Sequence, residues 1–254
     1  MLTPDLRAVA RQAMIDEGFD PDFGPAVEAE LKNIGKHPDG GAPLKDLRAL
    51  LWSSIDNDDT RDLDQIEFAE EISGTASASV SASTASNTGK WRLYIGISDV
   101  DSEVPKGSAI DAHAASQTTS VYTGAAIFSM IPPQLSAGAT SIFAGSDRKA
   151  MVIEMIIAAD GTVKSARIYR AMVANKAQLA YSSVGAWLDS GAAMPQTIAA
   201  TPQLESQLRL QAKIAVALRK TRTDNGALEI ETVEARAVSL NGTVPSGIRW
   251  AMGS

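Results

Sequence analysis

Residues 149–173 constrain the fold most strongly, because they read KAMVIEMIIAADGTVKSARIYRAMV. Two segments rich in strand-forming residues flank Asp160 and Gly161, a dipeptide typical of the tight turns that join antiparallel strands. We therefore predict a β-hairpin over 149–173. Residues 66–72 and 91–98 alternate apolar and polar side chains, which predicts a second antiparallel pair.

Apolar residues at helical spacing predict four helices, over 3–17, 25–35, 176–188 and 202–221. Thr3 is the N-cap candidate of the first helix, and Pro25 begins the second. Pro202 takes the first position of the last helix, where its missing N–H costs nothing. Helices and strands together predict an α+β (mixed α/β) fold, a mainly antiparallel sheet with flanking helices.

The composition narrows the class of protein. No cysteine occurs, which excludes disulfides, thiolate metal sites and cysteine nucleophiles. No apolar run is long enough for a signal peptide or a membrane span, so we expect a cytoplasmic protein without membrane contact. A formal net charge of −7 would not by itself suggest a nucleic-acid ligand, because phosphate contacts require basic groups.

The densest chemical signal is SSIDNDDTRDLDQIEFAEE, residues 53–71, in which five aspartates fall between positions 56 and 64. Carboxylates crowded this closely repel one another, and a bound cation is the usual way to neutralise them. A solvated acidic turn is the plain alternative.

One cation site suggested by the spacing is an EF-hand calcium loop. Its liganding positions would be taken by Asp56, Asp58, Thr60, Asp62, Asp64 and Glu67. However, Arg61 stands where such loops need glycine, and the following QIEFAEEI alternates like a strand instead of beginning a helix. The sequence context disfavours this interpretation.

The other interpretation is a two-metal nuclease site. Mg²⁺ prefers carboxylate oxygens and water, and a pair of such ions can promote hydrolysis of a phosphodiester. In the spacing Asp56-x5-Asp62-x-Asp64, the last two carboxylates lie on one side if their segment is extended.

The segment SIDNDDTRDLDQ resembles the signature of the RNB exoribonuclease family, an aspartate followed after five residues by D-x-D-D. The similarity continues in order through five further blocks: WRLYIGISDV, KGSAIDAHA, TTSVYTGAAIFSMIPPQLS, DRKAMVIEMIIAADGTV and NKAQLAYSSVGAWL. Six blocks spread from about residue 50 to 190 make the resemblance specific. It covers the family's catalytic domain, without its flanking cold-shock and S1 domains.

The resemblance implies hydrolysis of single-stranded RNA from the 3′ end to nucleoside 5′-monophosphates with Mg²⁺ or Mn²⁺, without an obligatory protein partner. It implies metal ligands at Asp56, Asp62, Asp64 and Gln65, with Asp62 and Asp64 catalytic and Asp64 indispensable. Tyr122 and Tyr181 resemble the tyrosines that position the terminal nucleotide, which suits aromatic faces because stacking tolerates any base. Asp99 and Asp111 are weaker correspondences.

This sequence departs from the family pattern at three places. Gln65 replaces the fourth aspartate, and Ile230 stands where many relatives carry an RNA-clamping aromatic residue. After ETVEARAV the similarity ends, so we expect the second half of the domain, with its glutamates and arginine, to be missing. The alternative function is therefore a non-catalytic RNA-binding remnant.

The expected organisation is a helical appendage and linker over 1–43, a partial catalytic domain over 44–240, and a divergent tail over 241–254. Residues 73–89, rich in Ser and Ala, are predicted to form a mobile loop. A shortened domain should expose apolar surface, with candidates in EMII (154–157), the apolar face of 204–218, and Trp250. We therefore expect weak or no nuclease activity and poor solubility.

Overall fold

The computed structural model describes residues 5–35, 43–72 and 90–228. The chain divides into two compact units. The smaller comprises residues 1–37, 103–139 and 229–254, and the larger comprises 38–102 and 140–228. None of the helices in the described ranges is both long and apolar enough to cross a membrane.

The strands, in chain order, are β1 (Lys45–Asp46), β2 (Trp52–Asp56), β3 (Gln65–Glu71), β4 (Trp91–Ser98), β5 (Val121–Tyr122), β6 (Ile127–Phe128), β7 (Asp147–Ile157) and β8 (Val163–Ala180). The α-helices are α1 (Leu6–Asp16), α2 (Pro25–Leu31), α3 (Ala109–Gln117), α4 (Tyr181–Ser190), α5 (Gln196–Ala200) and α6 (Leu204–Asp224). A short 3₁₀ turn covers Val100–Ser102, and a π-helical turn covers Leu135–Ala139.

The main sheet lies in the larger unit and has six strands in the order β1-β8-β2-β3-β4-β7. Because β7 also pairs with β8, the pairings from β8 through β2, β3, β4 and β7 close into a ring. Most neighbours are antiparallel, whereas β8 is parallel to both β1 and β2. The predicted mixed fold with a mainly antiparallel sheet is confirmed.

Both predicted strand pairs are present. Residues 65–71 pair with 91–97 in antiparallel register, and β7 pairs with β8 around the turn at Asp160 and Gly161. Gly161 has a φ of +85°, and the Thr221 hydroxyl of α6 donates to the Asp160 carbonyl at 2.7 Å. A Cβ atom on Gly161 would overlap the Ala217 carbonyl oxygen, so both turn geometry and packing require glycine.

One face of the sheet encloses an aromatic core. Trp52, Phe68 and Tyr94 pack with ring centroids 5.8–6.4 Å apart, and the Trp52 indole donates to the Leu47 carbonyl at 2.8 Å. The opposite face is covered by α4, α5 and α6. There Leu204, Leu208 and Ile214 are fully or almost fully buried, and burial of each contributes about 1.5–3 kcal/mol.

The prediction that EMII (154–157) and the apolar face of 204–218 are exposed is therefore wrong. The apolar face of α6 packs on the sheet, and Ile156 and Ile157 of the EMII segment are buried. Trp250, Ile230 and the segments 73–89 and 241–254 lie outside the described residues. The exposed apolar side chains include Ile168, Val216 and Leu228 instead.

The predicted helix over 176–188 is wrong in its first part, because β8 continues to Ala180 and α4 begins only at Tyr181. Lys176 and Gln178 are exposed, while Ala177 and Leu179 between them are buried against the helices. This alternation is that of a strand, and the parallel pairing with β2 satisfies its backbone.

Two predicted helix starts are also wrong. The side chain of Asp5, not Thr3, caps α1 by accepting a hydrogen bond from the Arg7 backbone N–H at 3.0 Å. The last helix begins at Leu204 because Gln203 has a φ of +66°, which no helical residue adopts, so Pro202 lies outside it. The start of α2 at Pro25 is confirmed.

Candidate functional site

The candidate site lies in the larger unit, where β2 ends at Asp56. In the parallel pairing of β2 with β8, Asp56 stands beside Ala180. Oδ1 of Asp56 accepts hydrogen bonds from the Asn57 backbone N–H at 2.7 Å and from the Thr60 hydroxyl at 3.0 Å. Asp56 thus fixes the first turn of the acidic loop, the segment 56–64 that leads from β2 to β3.

Leu63 anchors the end of this loop, just before β3. Leu63 is 1% exposed, its N–H donates to the Ser141 hydroxyl at 3.1 Å, and its carbonyl accepts from Ile142 N–H at 2.8 Å. Asp62 and Asp64 flank this buried residue and keep solvent exposure. Side chains alternate along an extended segment, and that conformation would put both aspartates on the side opposite Leu63.

The acidic loop leads directly into β3, a seven-residue strand that begins at Gln65. An EF-hand requires a helix after the loop, so the calcium-loop alternative is wrong. The strand forms because the alternating Ile66 and Phe68 enter the aromatic core while Gln65 and Glu67 occupy the other face.

The three aspartates influence one another electrostatically. Partial desolvation raises the pKa of Asp64 although the side chain is exposed, and the carboxylates of Asp56 and Asp62 raise it further. Like charges in this proximity disfavour ionisation, and a cation between them would reverse that effect. The loop therefore holds carboxylates whose mutual repulsion a cation would relieve.

Across the described ranges, no three Asp, Glu or His side chains stand ready to enclose a metal ion. The donors present are nevertheless chemically suitable. Asp56, Asp62 and Asp64 offer carboxylate oxygens and Gln65 an amide oxygen, which are the hard ligands that Mg²⁺ and Mn²⁺ accept. A divalent ion would have to draw these side chains closer together.

Tyr181 stands at the junction of β8 and α4, beside the aspartates. Its side chain is 52% exposed, and burial raises the pKa of its hydroxyl, with additional effects from Asp56, Glu67 and Asp64. The Ser182 hydroxyl donates to both carboxylate oxygens of Asp58, at 3.3 and 3.4 Å. This contact joins the acidic loop to the start of α4, so the predicted tyrosine and the predicted aspartates are brought together.

Glu67 is a site-proximal carboxylate that sequence reasoning considered only as an EF-hand position. It lies two residues after Gln65 on the same face of β3, and burial raises the pKa of its carboxyl. The alternation predicted for 66–72 could have identified it, since residues two apart in a strand share a face.

Asp99 and Asp111, the two aspartates that match the family pattern less closely, have structural roles. Asp99 is 6% exposed and accepts a hydrogen bond from Arg170 Nε at 2.7 Å. Asp111, in the smaller unit, lies in the first turn of α3, where Ser108 is the N-cap, and accepts from Gly107 N–H at 2.7 Å. Such hydrogen bonds cap a helix and do not indicate a ligand.

Tyr122, the other predicted tyrosine, belongs to the smaller unit. It lies in β5, opposite Ile127 of β6, and is 61% exposed. An aromatic side chain this exposed on a two-stranded hairpin is available for stacking.

Comparison with known sequences identifies relatives over most of the chain. The RNB domain family model matches residues 44–249. Ribonuclease R of Vibrio parahaemolyticus serotype O3:K6 is 32% identical over 215 residues, which cover 84% of this chain and 24% of the relative. Exoribonuclease 2 of Salmonella newport is 30% identical over 186 residues, covering 72% of this chain and 26% of the relative.

Solved structures support the same fold. Mycoplasma genitalium RNase R in complex with double-stranded RNA superposes with a TM-score of 0.79 at 21% identity, covering 94% of this chain and 39% of that one. An active-site mutant of the Dss1 exoribonuclease from Candida glabrata gives a TM-score of 0.63 at 15% identity, covering 97% of this chain and 30% of that one. The chain spans about a quarter of the length of its curated relatives, and it belongs to the RNB domain family.

Proposed function

We propose that this chain carries the metal-binding part of a hydrolytic 3′→5′ exoribonuclease site, which acts on single-stranded RNA and releases nucleoside 5′-monophosphates. One observation carries the proposal. In a member of the RNB family, Asp56, Asp62 and Asp64 fall within nine residues between β2 and β3, and Tyr181 stands beside them at the start of α4. Burial raises the pKa of Asp64, and the neighbouring Asp56 and Asp62 raise it further. The relatives named Ribonuclease R and Exoribonuclease 2 support the same substrate class.

Asp56, Asp62, Asp64 and Gln65 would hold two Mg²⁺ or Mn²⁺ ions. Such a pair, when bound, supplies an activated water and stabilisation of the leaving oxygen. The aspartates would contribute negative charge and orientation, and the buried Leu63 between Asp62 and Asp64 would anchor the segment that carries them. An ion there would favour the ionised form of Asp64 and oppose the pKa rise caused by desolvation.

Tyr181 would hold the terminal base of the RNA by stacking. Its ring is half-exposed, and its backbone is fixed where the pairing of β2 with β8 ends, so the ring is anchored beside the aspartates. Stacking on an aromatic face is largely independent of base identity, which suits an enzyme that shortens RNA of any sequence. Tyr122 would offer a second such face.

A non-catalytic RNA-binding remnant is the second candidate. Gln65 favours it, because a neutral amide stands where the family pattern has the fourth carboxylate. In this case Tyr122 and Tyr181 would still bind RNA. The metal-binding residues, which lack a fourth carboxylate, would not support hydrolysis. The domain boundaries and the location stay predictions under both functions. They are an appendage over 1–43, a catalytic region over 44–240, a tail over 241–254 and a cytoplasmic location.

The deciding experiment is incubation of the purified chain with 5′-labelled poly(A) in Mg²⁺ and in EDTA. The nuclease proposal expects progressive shortening from the 3′ end, release of AMP, and loss of both in EDTA. Asp64→Asn serves as the matched control for a contaminating nuclease. Intact RNA that nevertheless shifts with the protein in a gel would reject hydrolysis and support the remnant.

A further inference from the structure

We propose that one edge of β8, at residues 165–169, binds an extended acidic segment of a partner protein, which adds a strand to the sheet there. This edge lies towards the opposite end of β8 from Tyr181, up to about 40 Å away along the extended strand. Binding at the edge is therefore independent of the proposed nuclease function.

The two edges of this part of β8 differ in their pairing. From Ser165 to Ala174, one edge pairs without interruption with β7. On the other edge, β1 reaches only Ala171 and Met172, and β2 pairs only with the end of β8. The described part of the chain thus leaves residues 165–169 without a neighbouring strand on that edge.

The backbone groups that face the open edge are those of Ala166 and Ile168. Leu47 N–H donates to the Met172 carbonyl at 2.9 Å, so the backbone of Met172 faces β1. Backbone direction alternates along a strand, and the unbroken register with β7 keeps this alternation in phase. Within the described ranges, the outward N–H and C=O groups of Ala166 and Ile168 have no backbone partner. Such a row is a template for another strand.

The side chains along this edge are accessible, and they differ between the two faces of the sheet. Residues 163–168 are all exposed. On the face opposite the aromatic core, Ile168 is 66% exposed and lies across from Ile153 of β7. On the core face, the Arg167 side chain is 69% exposed and donates to the buried Glu154 at 2.6 Å. An added strand would meet an apolar group on one face and a cation on the other.

Charge along the edge favours an acidic partner. Lys164 lies at one end, Arg167 near the middle, and Lys45 at the start of β1, where its side chain is 52% exposed. The neighbouring carboxylates are Glu154, which is 3% exposed, and Asp160, which is close enough to Lys164 to interact with its charge. Three cations against two carboxylates leave a positive surplus in a chain whose net charge is −7.

A second copy of the chain fits this edge less well. Antiparallel pairing of two such edges would bring Lys164 and Arg167 of one copy close to the same residues of the other, and like charges on facing strands oppose association. Basic side chains on exposed edges commonly prevent self-pairing in this way. The same side chains attract an acidic strand, so the edge favours a different protein over a second copy.

The test uses the full 254-residue chain and an end-capped peptide of alternating Val and Glu as the probe. Hydrogen exchange of single backbone amides is followed by NMR. In the free protein, the amides of Ser165 and Arg167 should exchange slowly because they face β7, and those of Ala166 and Ile168 should exchange quickly. The peptide should slow exchange of Ala166 and Ile168 at least about tenfold, as a new hydrogen bond does.

Modified peptides test the mode of binding on the wild-type protein. Only alternate residues of an added strand face β8, so methylation of either the Val or the Glu backbone nitrogens should abolish the slowing, and methylation of the other set should spare it. A peptide with Lys in place of Glu should not bind. Binding should also weaken as the salt concentration rises.

Two variants test the edge itself. Ala166→Pro removes an outward N–H and no hydrogen bond to β7, a position where strands accept proline. It should weaken peptide binding at least about tenfold while the melting temperature changes little. Lys164→Glu should weaken binding about two- to fivefold. Lys220→Glu is the matched control, because it makes the same charge change at an exposed position of α6 and should bind like the wild type.

Unchanged exchange of Ala166 and Ile168 at the highest soluble peptide concentration would overturn the inference. Full slowing by both methylated peptides would do the same, because backbone pairing would then play no part. If Ala166→Pro does not fold, the methylated peptides still decide the question. Slowing that grows with protein concentration in the absence of peptide would overturn the acidic partner and assign the edge to a second copy.

Discussion

Arg170 Nε donates a hydrogen bond to Oδ2 of Asp99 at 2.7 Å and so ties β8 to the end of β4. The two side chains are 19% and 5% exposed, which makes this one of the more buried ion pairs in the described residues. Asp99 therefore stabilises the sheet by pairing with Arg170, although its match to the family pattern made it a candidate for the site.

Arg170→Ala should lower the free energy of unfolding by about 3 kcal/mol, because it leaves the Asp99 carboxylate buried without its cation. Urea denaturation followed by tryptophan fluorescence measures this difference. Lys220→Ala is the control, since it removes an exposed pair with Asp224 on α6 and should cost no more than about 0.5 kcal/mol. Equal losses in both variants would contradict a special role for the buried pair.

Glu154 should make stability depend on acid pH. Burial alone would raise the pKa of this carboxyl, but hydrogen bonds from Tyr169 and Arg167, and the charges of Arg167 and Lys45, leave it below 4.5. A lowered folded-state pKa stabilises the protein above 4.5, and this stabilisation is lost as the pH falls through the folded value.

Glu154→Gln should therefore be less stable than the wild type at pH 7, and the difference should shrink as the pH falls below about 4.5. Denaturant melts between pH 7 and pH 3 measure it. The Tyr169 hydroxyl is 2.7 Å from Glu154, so Tyr169→Phe should reproduce part of the effect. A difference that stays constant over the pH range would show that ionisation of Glu154 is not its origin.

Asp64→Asn should abolish RNA hydrolysis while raising stability at neutral pH. Loss of groups that merely support metal ligands costs about 10- to 100-fold, so loss of a direct ligand should exceed 100-fold. Desolvation and neighbouring carboxylates raise the pKa of Asp64, so its ionised form destabilises the fold, and the penalty grows as the pH rises above 3.8.

The measurement for Asp64→Asn pairs AMP release with a thermal melt at pH 7. Asp101→Asn offers a control with the same chemical change in the turn after β4 and should leave hydrolysis unaltered. Hydrolysis retained by Asp64→Asn would assign the chemistry to another residue.

Tyr181→Ala should weaken binding of single-stranded RNA, measured in EDTA so that hydrolysis does not intervene. Loss of one stacked base costs about 1–3 kcal/mol, or roughly 5- to 150-fold in affinity. Tyr181→Phe keeps the stacking face and should bind within about threefold of the wild type. If both variants bind RNA like the wild type, Tyr181 does not stack on the substrate.

Local signals predicted the elements whose pairing partners are close in sequence. The alternation of 66–72 and 91–98 and the turn at Asp160 and Gly161 predicted β3, β4 and the β7–β8 hairpin, because each carries its own periodicity or turn chemistry. The density and spacing of the aspartates indicated a cation site, whereas the family resemblance supplied the role of each aspartate and of Tyr181.

Elements that depend on distant partners were not predicted. Residues 176–180 favour a helix locally through their alanines, but the parallel pairing with β2 makes them the end of β8. Glu67 was considered only as an EF-hand position for a related reason. Its proximity to Tyr181 joins residues more than a hundred positions apart along the chain.

The 18-residue length of β8 has a consequence for the order of folding. Its first part closes a hairpin with β7, a local event, whereas its last residues reach β2, and the adjoining contact of Ser182 with Asp58 spans 124 residues. Contacts across such a separation form slowly, because the entropy of closing a long loop must be lost first. We expect the acidic loop and Tyr181 to meet in a late step of folding, so that a nascent or partly folded chain pairs β7 with the first part of β8 before the proposed site is assembled.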